Sequence, residues 1–94
     1  MPTMLIRHKV QDYAKWKPVF DEDGANRKAG GFKEGRLYRN ANNPNEIVIL
    51  LEADSLEKAL QFAQSPALRE AMQRAGVADQ PDVYFLEEVE RLAH

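Results

Sequence analysis

The sequence predicts an α+β chain of order β-α-β-β-α-β, and three observations predict it. The first is Ile47-Val-Ile-Leu-Leu51, five apolar residues in a row between Glu46 and Glu52. A short Ile/Val-rich run without alternation reads as a strand covered on both faces. The second is Tyr13, Trp16 and Phe20 at i, i+3 and i+7, one apolar stripe of an amphipathic helix. The third is a pair of helix starts, Asp54-Ser55 and Ser65-Pro66, each set just before an apolar helical stripe. The chain's own helices are expected to cover one face of the central strand. A second copy of the chain is expected to cover the other.

Each element follows from local chemistry. Thr3 to Val10 reads as the first strand, with Met4, Ile6, His8 and Val10 on one face and Leu5, Arg7 and Lys9 on the other. Asp12 stands where a helix N-cap should be. Pro18 lies beyond the first turn, so a kink or a tight first turn is expected there. Gly30-Gly31 ends this helix, since glycine takes the left-handed conformation at little cost. Phe32 to Arg39 is the second strand, and Asn40 to Asn45 is a turn by composition.

After the third strand, Asp54 or Ser55 caps the next helix, with Glu57 as a capping-box partner. Leu56, Ala59, Leu60 and Ala63 form its expected apolar stripe. Ser65-Pro66 restarts the helix, Leu68, Met72 and Ala75 continue the apolar face, and Gly76 stops it. Asp82 to Arg91 reads as the last strand, centred on Val83-Tyr-Phe-Leu86. This order is the ferredoxin-like sandwich, an antiparallel sheet with its helices on one face and strand order 4-1-3-2. Strands one and three are expected side by side in its centre, running parallel.

Composition narrows the function classes. Ninety-four residues are expected to form one domain over positions 1–94. The absence of cysteine removes disulfides, thiolate metal sites and thiol nucleophiles, and a cytoplasmic protein is the simplest reading. A net charge of −2 with interspersed acids and bases argues against a nucleic-acid partner. No stretch approaches membrane-spanning length, and Met1 to Lys9 lacks the apolar core of a signal peptide, so no membrane partner is expected.

Centring the hairpin on Asn42-Asn43 pairs Tyr38 with Ile47, Arg36 with Ile49 and Gly35 with Leu50. On that register Leu37, Gly35, Val48 and Leu50 join Met4, Ile6, His8 and Val10 under the helices. The opposite face carries Tyr38, Arg36, Ile47, Ile49 and Leu51 with Leu5, Arg7 and Lys9. A slip of one residue would reverse the assignment. So contiguous an apolar patch calls for a cover, and a homodimer built sheet against sheet supplies it.

The pattern resembles the dimeric α+β barrel superfamily, which includes antibiotic-biosynthesis monooxygenases, haem-degrading enzymes and some polyketide cyclases. Val10-Gln-Asp-Tyr13 with Trp16 and Phe20, and Gly31-Phe32 before the second strand, carry the resemblance. So do the apolar third strand before Ser55-Leu-Glu-Lys58, and Ser65-Pro-Ala-Leu68. The resemblance implies a homodimer that binds, and in some members oxidises or cyclises, a small aromatic or polyketide-like molecule without a cofactor. The monooxygenases' Asn, Trp and Tyr set does not carry over, because Trp16 is the only tryptophan and Asn40 to Asn45 hold all the asparagines but Asn26. Nor does the haem-degrading members' axial helix histidine, because the histidines are His8, on a strand, and His94, at the terminus.

Candidate pocket residues are Arg7, His8, Arg36 and Tyr38, with no metal ligand among them. Arg7, Arg36 and Tyr38 over an Ile/Leu floor would suit a ligand with an apolar body and an anionic end. Against this stands ordinary interface ion pairing with Glu34, Glu87 or Glu88. His8 is expected beside Glu52, either as an oriented base or as a buried structural histidine. Trp16, Tyr13 and Phe20 read as core rather than as a stacking surface. The competing function is a non-catalytic small-molecule-binding or stress-related dimerisation module.

Overall fold

The computed structural model describes residues 2–93. Its elements are β1 (Thr3–Lys9), α1 (Tyr13–Glu22), α2 (Gly24–Ala29), β2 (Phe32–Asn40), β3 (Asn43–Ala53), α3 (Leu56–Ala63), α4 (Pro66–Ala75) and β4 (Asp82–Leu86). The four strands form one sheet in the order β2-β3-β1-β4. Every neighbouring pair is antiparallel, including β1 with β3. The expected parallel pairing of these two strands is thereby corrected. The helical crossover brings β2 back in the direction of β1, and the hairpin then reverses β3.

The hairpin register also differs from expectation by one residue. Asn40 pairs with Asn43, but the next pair is Arg39 with Ile47, so Pro44, Asn45 and Glu46 have no counterparts on β2. This bulge holds a proline where no ladder donor is required. It also places Asn45 to tie two elements together. Its carbonyl accepts the Val10 N–H at 2.8 Å, and its side-chain oxygen accepts the Tyr13 N–H at 3.0 Å.

Beyond the bulge Tyr38 pairs with Val48, Arg36 with Leu50 and Gly35 with Leu51. The faces of β1 and β2 are those the alternation predicts, while the faces of β3 are exchanged. Ile47, Ile49 and Leu51 lie under the helices with Met4, Ile6 and His8, their direct partners on β1. Val48 and Leu50 look outward with Leu5, Arg7, Arg36 and Tyr38.

The helices are capped much as the sequence predicts. Asp12 accepts the Ala14 N–H at 3.0 Å, and the Ser55 and Ser65 hydroxyls each accept an N–H three residues on at 3.2 Å. Asp54 is freed from capping and pairs with Lys33 at 3.1 Å. Gly31 and Gly76 carry positive φ after α2 and α4. Pro18 sits inside α1, and the helix breaks only at Asp23, just before Gly24. α3 buries Ala59 and Phe62, whereas Leu56 and Leu60 are exposed. Phe62 turns the helix this way by packing edge-on against Phe32, with ring centroids 4.8 Å apart. β4 stops at Leu86 rather than Arg91, because Leu86 already pairs with Thr3, the first residue of β1. Glu87 to Ala93 has no ladder partner and is exposed.

Candidate functional site

Alternation on β1 sends Met4, Ile6 and His8 toward the helices, and α1 lays Trp16 over the last of them. The His8 and Trp16 rings meet edge to face, with centroids 5.8 Å apart and planes at 72°. Trp16 in turn stacks on Phe20 at 4.8 Å. His8 is 2% exposed and pairs with Ile47, not with Glu52, which lies opposite Thr3. The expected His8–Glu52 pair depended on parallel strands, and antiparallel pairing puts the two at opposite ends of the ladder.

Both His8 ring nitrogens are buried without a protein hydrogen-bond partner. An unpartnered buried polar group costs about 1–3 kcal/mol, so a structural histidine is normally satisfied. Burial, chiefly, pushes the imidazole down from its ordinary pKa range. Asp79 pulls in the other direction, and Arg7 adds to the fall. His8 is therefore neutral near pH 7, with one ring nitrogen free to accept a hydrogen bond.

His8 lines a small cavity of about 40 Å3 between the sheet and the helices, together with Trp16, Phe20, Leu68 and Met72. That volume holds a few water-sized groups. Phe20, Arg27, Ile49 and Leu51 form a wall shared with an open groove of about 690 Å3, which runs along β2 and α2. Gly35 shapes the groove floor, since a Cβ there would come within 2.9 Å of a Leu51 methyl.

Arg27 stands in the shared wall with its guanidinium 3.8 Å above the Phe20 ring centroid. Burial lowers its pKa, while Asp23 and Asp21 act in the opposite sense. No ion pair among the described residues involves Arg27. Asp23, 6% exposed, also lines the cavity and accepts a hydrogen bond from the Asn26 amide at 2.6 Å. The sequence reading missed both Asp23 and Arg27. The signal was available: they continue the helical spacing of Trp16 and Phe20, at i+7 and i+11 from Trp16.

The four residues singled out from the sequence do not converge. Arg7, Arg36 and Tyr38 lie on the open sheet face and His8 on the other. Arg7 is engaged within its own chain, donating from Nε and Nη2 to Glu46 at 2.9 and 2.6 Å and from Nη1 to Asp82 at 3.0 Å. The hydrogen bond from Asn40, and then that from Arg7, hold the Glu46 carboxyl below the usual carboxylate range. Arg36 lies with Tyr38, whose phenol is the main cause of its raised pKa. Among the described residues no group of three or more His, Asp and Glu side chains could hold a metal ion, and His94 lies outside them.

This sheet, with its helices on one side, is the ferredoxin-like α+β fold of the antibiotic biosynthesis monooxygenase structures. Among solved structures, SnoaB, a cofactor-independent oxygenase from Streptomyces nogalater, superimposes with a TM-score of 0.80 at 16% identity. The match covers 99% of this chain and 97% of that one. A candidate antibiotic biosynthesis monooxygenase from Bordetella bronchiseptica gives a TM-score of 0.80 at 16% identity, over 95% and 97% of the two chains. Another from Caulobacter crescentus gives 0.75 at 21%, over 95% and 90%. No protein-family model and no curated protein sequence matches the chain.

Proposed function

We propose that this protein binds a small aromatic or polyketide-like molecule between its helices and its sheet, and oxidises it with dioxygen as a homodimer. The observation that carries the reading is His8, a neutral imidazole without a protein partner in an otherwise largely apolar cavity. The likeness of the whole chain to SnoaB supports an oxygenase that needs no cofactor. In such a reaction an activated ring CH2 becomes C=O. One oxygen atom of O2 enters the product, the other leaves as water, and the substrate supplies all four electrons.

The open sheet face supports the dimer. It presents Leu5, Val48, Leu50, Tyr84 and Leu86, the last two 57% and 40% exposed, and Leu92 of the tail lines a groove with Leu50. A second copy placed sheet to sheet would bury them. Light scattering at micromolar concentration should give about twice the 10.7 kDa chain mass.

A second reading, a non-catalytic binding module, is favoured by the small volume of the cavity, about 40 Å3. The test is oxygen uptake with a polycyclic phenol under saturating air. Uptake that needs the folded protein supports the oxygenase. Binding without uptake supports the module, and neither result removes the ligand site from the cleft.

A further inference from the structure

Three polar side chains line the cleft: Asp23, which already accepts from the Asn26 amide, and His8 and Arg27, which together define a ligand. His8 lies at the closed end, where the cavity is largely apolar and one neutral ring nitrogen is an unused acceptor. Arg27 lies at the mouth, shared between cavity and groove, stacked on Phe20 and outside every ion pair among the described residues. The groove adds Lys28, Lys33 and Arg36 against two carboxylates, Glu34 and Asp54, the latter paired with Lys33, so cations outnumber acids along it. An acceptor deep inside and a cation at the rim suit an aromatic molecule with a hydroxyl at one end and an anion at the other.

We propose that the ligand is a hydroxylated aromatic acid, whose phenol or enol hydroxyl donates to His8 and whose anionic group meets Arg27. The assignment rests on the cleft being the ligand site. It makes His8 the residue that distinguishes O–H from O–CH3. A methyl ether cannot donate to the imidazole. Arg27, already positioned by Phe20, loses little freedom on meeting a carboxylate. If the reaction proceeds, the hydroxyl proton moves to the His8 nitrogen. The O–H bond breaks, an N–H bond forms, and the electron pair stays on oxygen, making the ring a better reductant. The imidazolium so formed is compensated by the oxyanion beside it.

The probes are 6-hydroxy-2-naphthoate, 6-methoxy-2-naphthoate and 2-naphthol, titrated by calorimetry against the wild-type protein, His8→Phe, His8→Gln and Arg27→Met. The wild type should bind the hydroxy acid about tenfold or more tighter than either analogue. His8→Phe should erase the hydroxyl preference and keep the carboxylate preference. His8→Gln, which still offers an acceptor, should retain part of it and covers the case in which His8→Phe fails to fold. Arg27→Met should do the opposite, erasing only the carboxylate preference. Equal affinity for the hydroxy and methoxy acids in the wild type, or a hydroxyl preference that survives in His8→Phe, overturns the assignment but leaves the cleft as ligand site. Failure of all three probes to bind overturns the cleft reading, and the assignment with it.

Discussion

The two faces of one sheet are built on opposite rules. Under the helices, β1 and β3 set Met4 against Leu51, Ile6 against Ile49 and His8 against Ile47, a dry face with one polar group and no protein partner for it. On the open side the polar groups around Arg7 satisfy one another: Arg7 with Glu46 and Asp82, and Glu46 with Asn40. The difference teaches where to look for chemistry. An arginine that is paired within its own chain has little left to offer a ligand, however conspicuous it is in sequence. A single unpaired imidazole in an apolar cavity costs stability and so needs another explanation.

The largest expected effect separates the faces by burial. Ile47→Ala should destabilise by about 2–5 kcal/mol in denaturant melts, since Ile47 is fully buried, while Val48→Ala next to it should cost about 1 kcal/mol or less. Equal costs would mean that the register is wrong. Leu50→Asp on the open face should leave the circular dichroism unchanged and halve the mass seen by light scattering. An unchanged mass would locate the dimer contact elsewhere, or remove it.

His8→Leu should stabilise the ligand-free protein by about 1–3 kcal/mol, because it removes two unpartnered buried atoms. Loss of stability would show that the imidazole has a structural partner. A related effect depends on pH. Burial lowers the folded-state pKa of His8, so the unfolded chain takes up a proton first as pH falls below about 6.5. Stability attributable to His8 is thus complete above that pH and is lost on acidification toward the folded-state pKa. His8→Leu should flatten this part of the profile. The smallest effect belongs to the open face: Arg7→Met should leave the denaturant midpoint nearly unchanged, since its ion pairs are partly exposed and screened by solvent.

Much of the fold was legible because local signals agreed with one another. Asp12, Ser55, Ser65-Pro66 and Gly76 stop and start helices where the apolar stripes do, and the β1 alternation places His8 under the helices. What failed was what local signals do not encode. The bulge at Pro44 to Glu46 shifts the register by one residue, and with a side-chain period of two that exchanges both faces of β3. The five apolar residues of Ile47 to Leu51 could not reveal it, because either register buries part of the run. The His8–Glu52 pairing was lost to strand direction, a property of the whole topology. That Arg7 is already engaged by Glu46 and Asp82 was hidden because sequence shows charges but not their partners.

The account's central claim is that the ligand site is on the His8 side of the sheet. The most direct test follows the imidazole nitrogen resonances of His8, assigned with His8→Gln, and the guanidinium resonances of Arg7 as 6-hydroxy-2-naphthoate is added. The account predicts that His8 shifts with saturation while Arg7 stays in place. Saturable shifts at Arg7 with an unmoved His8 would contradict it and move the site to the open face.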